Sequence, residues 1–211
     1  RPHPELLSEP LVVAQAASDL RMYSDIHAPD YLPGLLGRNC AIDRVLLEET
    51  KGLEVDAPTG TDYVLAKALV RHGARIRQVR TSQIHTEYPT TAKAYVHQRR
   101  RWLRNVGLYG IQFGAWTELL VSLQQSLMGA ILLLLPVLGL FAGPVWFVLW
   151  FLAVAHGSLS RTRYLHFMRH KQDIEIEPTH YAYLFISLLL DFIAWTLPLF
   201  DYFSPRRRTS W

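Results

Sequence analysis

From Leu119 to Phe141 the chain carries no charged side chain, and two further apolar runs follow, Val145–Leu159 and Tyr181–Phe203. At about 1.5 Å of rise per helical residue, the first run can cross a hydrocarbon core of about 30 Å. Ala142-Gly143-Pro144 reads as a tight turn after it. Val145–Leu159 is shorter and spans only if it extends past His156 and Ser160. The third run contains Asp191, Pro198 and Asp201. Residues 1 to about 104 scatter their charges and hold no such run. The expected division is therefore an α/β unit over 1–105 and interfacial and transmembrane helices over 106–211.

The formal net charge is +4, and the basic residues cluster at Arg99–Arg104, Arg161–Lys171 and Arg206–Arg208, each beside an apolar run. That placement predicts cytoplasmic anchoring against anionic headgroups. No basic face recurs within the polar half, so nucleic acid is not an expected partner. Two spans would put the first two clusters on one side. A third full span puts Arg206–Arg208 on the other, against the charge rule, unless that segment is re-entrant or interfacial. Cys40 is the single cysteine, so no intrachain disulfide can form. The chain opens at Arg1 without a signal-peptide pattern, and its natural start is expected upstream.

In the polar half, Leu6, Leu7, Leu11, Val12, Ala14 and Leu20 predict a helix over 5–23, followed by a loop at Pro29, Pro33 and Gly34. Arg38–Ile42 reads as a short strand. Asp43 reads as the cap of a short helix ending near Thr50. Gly52, Pro58 and Gly60 mark another loop. A helix over 61–72 carries Val64, Leu65, Ala68 and Leu69 at helical spacing and stops at Gly73. Arg75–Arg80 alternates like a half-buried strand, and a last helix runs from Thr90 or Thr91 to about Asn105. Alternating strands and helices predict an α/β fold, with too few strands to close a sheet without upstream residues. Leu103–Trp116 mixes Gly107, Gly110 and Gly114 with Leu108, Tyr109, Phe113 and Trp116, as an interfacial stretch does.

The chemistry concentrates in Gln98-Arg99-Arg100-Arg101-Trp102. On a helix Gln98, Arg101 and Trp102 share a face, being three and four residues apart. A guanidinium suits a diphosphate, through a bidentate fork and charge. An indole suits the C–H face of a sugar. The same residues also fit a basic, aromatic helix lying on a membrane.

With that motif the chain resembles the family 2 glycosyltransferases that make cellulose, hyaluronan, chitin or poly-N-acetylglucosamine. Their Gln-x-x-Arg-Trp signature is matched by Gln98, Arg101 and Trp102. Gly60-Thr61-Asp62-Tyr63-Val64-Leu65 matches the acidic element ahead of a hydrophobic helix. Thr86-Glu87-Tyr88-Pro89-Thr90 matches the segment between the two, and Gly37–Arg44 fits an upstream element loosely. The order and spacing agree across residues 37–105.

The resemblance implies the C-terminal part of a GT-A type domain, acting in an inverting hexosyltransferase that builds a polysaccharide at the cytoplasmic face of the cell membrane. It implies Asp62 as general base, Arg101 on the leaving diphosphate with Arg99 or Arg100 assisting, Gln98 and Trp102 on the acceptor, and Gly60 and Thr61 at the substrate. Alone, Asp62 reads first as a carboxylate paired with a helix N-terminus; within the ordered motifs it reads as the base. Thr61 stands where the family often has glutamate. The implied partners are a nucleotide-sugar donor, a glycan or lipid acceptor, membrane lipids, and the missing N-terminal half or a partner subunit. The implied divalent metal, magnesium or manganese, falls to that upstream half, because the chain has no Asp-x-Asp.

Asp173, Glu175 and Glu177 lie between apolar runs and read as a solvated loop or an edge strand rather than a metal site. His85 reads as a packed loop histidine and Cys40 as a small buried residue. Asp191 has three readings: it lines a polymer path, pairs with a buried base, or marks where its segment leaves the membrane. Two rival functions stand beside polymer synthesis. One is transfer of a single sugar to a lipid; the other is a non-catalytic membrane subunit that keeps the fold.

Overall fold

The structure, a computed structural model, describes residues 2–26, 40–51, 54, 57, 59–77, 79, 84–172 and 174–203. Among these the chain is helical: a 3-10 turn at Pro4–Leu6, then α1 (Pro10–Ile26), α2 (Arg44–Glu49), α3 (Thr61–Arg71), α4 (Ala92–Phe113), α5 (Trp116–Ala142), α6 (Val145–Gln172) and α7 (Pro178–Phe203).

The local signals act where expected. Asp43 caps α2 by accepting from the Leu46 backbone N–H at 3.0 Å, and Thr91 caps α4 by accepting from that of Ala94 at 3.3 Å. Gly143, at φ 113°, ends α5 and lets α6 begin two residues later.

The α/β expectation is not met among the described residues, where no sheet forms. One parallel bridge joins Pro2 to Thr86. Cys40–Ile42 is not a strand, and Cys40 is exposed rather than buried. Of the apolar residues in the alternation over 75–80, Ile76 is half-buried and makes an isolated bridge, whereas Val79 is exposed; residues 78 and 80 lie outside the described residues. The predicted loops at Pro29–Gly34, Gly52 and Pro58, the Gly37–Arg38 element, Asp173 and Arg206–Arg208 lie outside the described residues.

Tertiary packing also extends α4 eight residues beyond the predicted end, through Gly107 and Gly110, to Phe113. A Cβ on Gly110 would meet Leu119 at 2.8 Å. The absence of side chains there lets α5 fold back against α4 instead of leaving a separate interfacial stretch.

Two helices, Trp116–Ala142 and Pro178–Asp201, are long and apolar enough to cross a membrane. The second and third apolar runs of the sequence thus differ in kind. Val145–Leu159 continues without a break into the basic residues of α6, whereas the third run is a full helix. Leu132 and Leu135 of α5 pack with Val154 of α6 and with Leu188 and Phe192 of α7. Gly129 permits this approach, since a Cβ there would lie 2.8 Å from the Phe192 carbonyl oxygen. A second core joins Val12, Val13, Ala16 and Ala17 of α1 to Leu165 and Met168 of α6, Leu184 of α7 and Tyr88.

Between the two cores lies a buried charged network. Arg161 of α6 pairs with Asp191 of α7 and donates to Ser187 Oγ at 2.7 Å. The Tyr95 hydroxyl of α4 donates to the same carboxylate at 2.7 Å. Arg99 lies 3.6 Å from Asp191 and 2.6 Å from Asp19 of α1. Two guanidinium groups and two carboxylates cancel in charge while tying α1, α4, α6 and α7 together. Of the three readings of Asp191, the structure selects pairing with a buried base. It also corrects the placement of Arg161, which is 1% exposed within the bundle rather than at headgroups.

Removing one member of such a network leaves an uncompensated buried charge, at a cost of roughly 3–5 kcal/mol. Asp191→Ala should therefore lower the unfolding free energy in detergent by about that amount. Ser187→Ala, which removes one hydrogen bond, should lower it by about 1 kcal/mol. Equal losses from the two variants would contradict this account.

Candidate active-site groove

The turn Glu87-Tyr88-Pro89 and the first turns of α4 border an open groove of about 580 Å³, lined further by Thr91, Lys93, Ala94, His97, Gln98 and Arg101. The buried Tyr88 ring joins the core around α1 and α6 and so anchors the turn. Lys93, His97 and Arg101 recur every fourth residue, forming a ridge of basic side chains along one face of α4. Gln98 stands beside it and accepts from the Gln15 amide of α1 at 2.7 Å. This bond orients the Gln98 carboxamide and leaves its own N–H groups to donate.

Successive residues of a helix point about 100° apart, and the three arginines accordingly go to three places. Arg99 is buried against Asp19 and Asp191. Arg100 holds Asp201 of α7 with both ends of its fork, Nε donating to Oδ2 at 2.8 Å and Nη2 to Oδ1. Arg101 lines the groove. Arg99 and Arg100, expected to assist at the diphosphate, are instead committed to carboxylates.

Burial alone would favour a neutral Arg99, but Asp19, Tyr95 and Asp191 more than offset it and hold the guanidinium protonated. The Arg100 pKa is likewise raised, first by the hydrogen bond to Asp201. Burial, and then the Asp191 charge, push the Tyr95 phenol above the ordinary tyrosine range. Trp102, expected to share the face of Gln98 and Arg101, is not among the groove's lining residues. Its ring lies 5.2 Å from the Arg99 guanidinium, in a cation–π arrangement.

Asp62 is exposed in the first turn of α3, where its carboxylate accepts from the Tyr63 backbone N–H at 2.9 Å. The chain entering α3 is clamped to the groove helix. The buried Thr59 hydroxyl donates to Asn105 Oδ1 at 3.1 Å. Gly60, at φ 67°, packs so closely that a Cβ would lie 2.7 Å from Asn105 Cγ. Asn105 is four residues beyond Arg101, one turn along the same face. Thr61 follows as the first residue of α3, its side chain exposed.

The far side of α3 is held by α5. Lys67 pairs with Glu118, and the Tyr63 hydroxyl donates to the same carboxylate at 2.8 Å. Burial and then Glu118 raise the Tyr63 pKa, so the phenol stays a donor. Arg71 donates to the Gln112 carbonyl at 3.1 Å. His85, expected to be a packed loop histidine, is exposed, with its Nδ1 3.2 Å from the Pro2 carbonyl oxygen.

A glycosyltransferase motif order, a basic groove on the motif helix and two membrane-length helices make one family expected. The model of the glycosyl transferase family group 2 matches residues 13–199. The chain belongs to that family. No curated protein and no solved structure matches it. Membership implies glycosyl transfer between a sugar donor and an acceptor.

Within this glycosyltransferase, Lys93, His97, Asn105 and Thr59 are groove or clamp residues that motif reading passed over. The four-residue spacing of 93, 97 and 101 was the available signal for the first two. For Asn105 and Thr59, nothing local pointed to the contact. Among the described residues no group of three or more histidine, cysteine or acidic side chains could hold a metal ion.

The clamp has a direct test. Gly60→Ala adds left-handed strain of about 1–2 kcal/mol and a clash with Asn105. Its destabilisation, measured by thermal unfolding, should be smaller in an Asn105→Ala background, where the amide clash is gone and the backbone strain and a 3.1 Å approach to the residue-105 Cβ remain. Equal losses in the two backgrounds would mean that the contact is not made.

Proposed function

We propose that this family member is an inverting hexosyltransferase that extends a polysaccharide, using a nucleotide-activated sugar at the cytoplasmic membrane face. The observation that carries the reading is the juxtaposition on α4. Arg101 and Gln98 of the signature face one groove together with Lys93 and His97, and Asn105 of the same helix clamps the loop that leads to Asp62.

Asp62 takes the proton from an acceptor hydroxyl as that oxygen attacks the anomeric carbon. The bond from the anomeric carbon to the diphosphate oxygen breaks, and its electron pair leaves with the diphosphate. Arg101 receives the developing charge through its planar fork, with Lys93 supplying a second cation. Gln98, held by Gln15, donates to the acceptor sugar. Trp102 acts at the acceptor end, next to Arg99.

The nucleotide and a divalent cation, magnesium or manganese, fall to upstream residues of a GT-A type domain, of which residues 1–105 are the C-terminal portion. In this reading α5 and α7 cross the bilayer, and α6 crosses back between them, so that its basic end lies at the cytoplasmic headgroups.

In the full-length enzyme, Asp62→Asn should fold and bind donor, because asparagine keeps the size and hydrogen-bonding shape. Transfer should fall by roughly a hundredfold to ten-thousandfold, because the amide cannot accept the proton. Arg101→Lys should lower turnover and weaken nucleoside-diphosphate inhibition together, since lysine cannot form the fork. Near-normal turnover of Asp62→Asn at saturating donor would reduce Asp62 to a helix-terminal carboxylate.

A further inference from the structure

We propose that Asp201, near the end of α7, is a positioning residue for sugar transfer, acting through Arg100 to set the rotation of α4 and hence the direction of Arg101. The inference rests on the groove reading above, because it concerns where Arg101 points.

Arg100 and Arg101 are neighbours on one helix, so their directions are locked about 100° apart. Asp201 is 5% exposed and meets Arg100 through two parallel contacts, Nε to Oδ2 at 2.8 Å and Nη2 to Oδ1. A bidentate pair of this kind restricts orientation as well as distance. With a helix radius near 5 Å including side chains, a rotation of α4 by 20° displaces its surface by about 2 Å. That is enough to break both contacts. The same rotation moves Arg101 by a comparable distance, and misplacement of a catalytic group by about 1 Å can cost a hundredfold in rate.

The second contact set on α7 does not duplicate this role. Tyr95 and Arg99 meet Asp191 deep in the bundle, and Arg99 is shared with Asp19 of α1. These bonds hold α4 against the bundle at its buried side. The Arg100 fork lies about 100° round the helix from Arg99 and reaches Asp201, ten residues further along α7. Two attachments at different angles fix rotation where one would act as a pivot. The signature helix is thereby referenced to a helix of membrane length, and the arginine between the buried Arg99 and the groove-facing Arg101 carries the coupling.

The test is a double-mutant cycle in the full-length, purified enzyme, with unfolding temperature followed in parallel. Asp201→Asn should lower kcat by about ten- to a hundredfold at saturating donor. Arg100→Lys, which keeps the charge but loses the fork, should do the same to a lesser degree. If Asp201→Asn does not fold, Arg100→Lys carries the cycle in its place.

Combined with Arg101→Lys, either variant should add little further loss of kcat, because its effect passes through Arg101. A merely structural role predicts that the losses multiply, and that outcome overturns the proposal. So does a folded Asp201→Asn, or a folded Arg100→Lys used in its place, with unchanged kcat while Arg101→Lys is impaired. If Arg101→Lys alone leaves turnover unchanged, the groove reading itself falls, and the positioning role falls with it.

Discussion

Two arginines and two aspartates, each almost wholly shielded from solvent, share their charge at the centre of the bundle, and the rest of the structure is arranged around them. Arg99 and Arg161 cannot be buried unless carboxylates meet them, so Asp19 and Asp191 specify which helices are neighbours. Dispersion between apolar faces would tolerate several rotations and offsets of α4 and α7. A guanidinium that must find a carboxylate tolerates far fewer. The Tyr95 hydroxyl and Ser187 use further hydrogen-bonding capacity of the same groups, which leaves the network little freedom to rearrange.

That constraint decides what becomes of the basic triplet. A run of three arginines beside apolar segments suits a helix lying on a headgroup layer. Once Arg99 is drawn inward, helical geometry sends Arg100 along α7 and Arg101 out toward the Glu87–Pro89 turn. A single helix thus serves as a structural strut on one side and a site wall on the other. Lys93 and His97 join the wall because they follow the four-residue ridge of Arg101. Trp102 is turned toward Arg99, where its ring stacks against a cation.

Helix α3, which carries Asp62, is placed by small contacts rather than by a core. α3 is held to α5 through Glu118, which serves both Lys67 and Tyr63, and to α4 through the Thr59–Gly60–Asn105 clamp. Both elements that carry the candidate chemistry are thus attached to helices of membrane length. Such attachment ties the position of the groove to that of the two long apolar helices.

The sequence by itself determined the local features. Asp43 and Thr91 start their helices, Gly73 and Gly143 stop theirs, and the uncharged length of Leu119–Phe141 sets a membrane-length helix, because caps, breakers and hydropathy act within a few residues. The ordered motifs over 37–105 pointed to the family, since spacing along a chain is itself sequence information. What depended on distant partners was not legible. The alternation over Arg75–Arg80 suggested a half-buried strand, yet of its two apolar residues Ile76 is half-buried and Val79 exposed, because alternation states a preference for burial that only neighbours in space can satisfy. Gly107 and Gly110 read as part of an interfacial stretch beyond a helix ending near Asn105, but α5 needs the space above Gly110 and the helix continues. Arg100 looked like a headgroup or phosphate ligand because Asp201 lies a hundred residues away in the chain. Only the tertiary fold brings that carboxylate within 3 Å, and a buried charge answers to its neighbours in space.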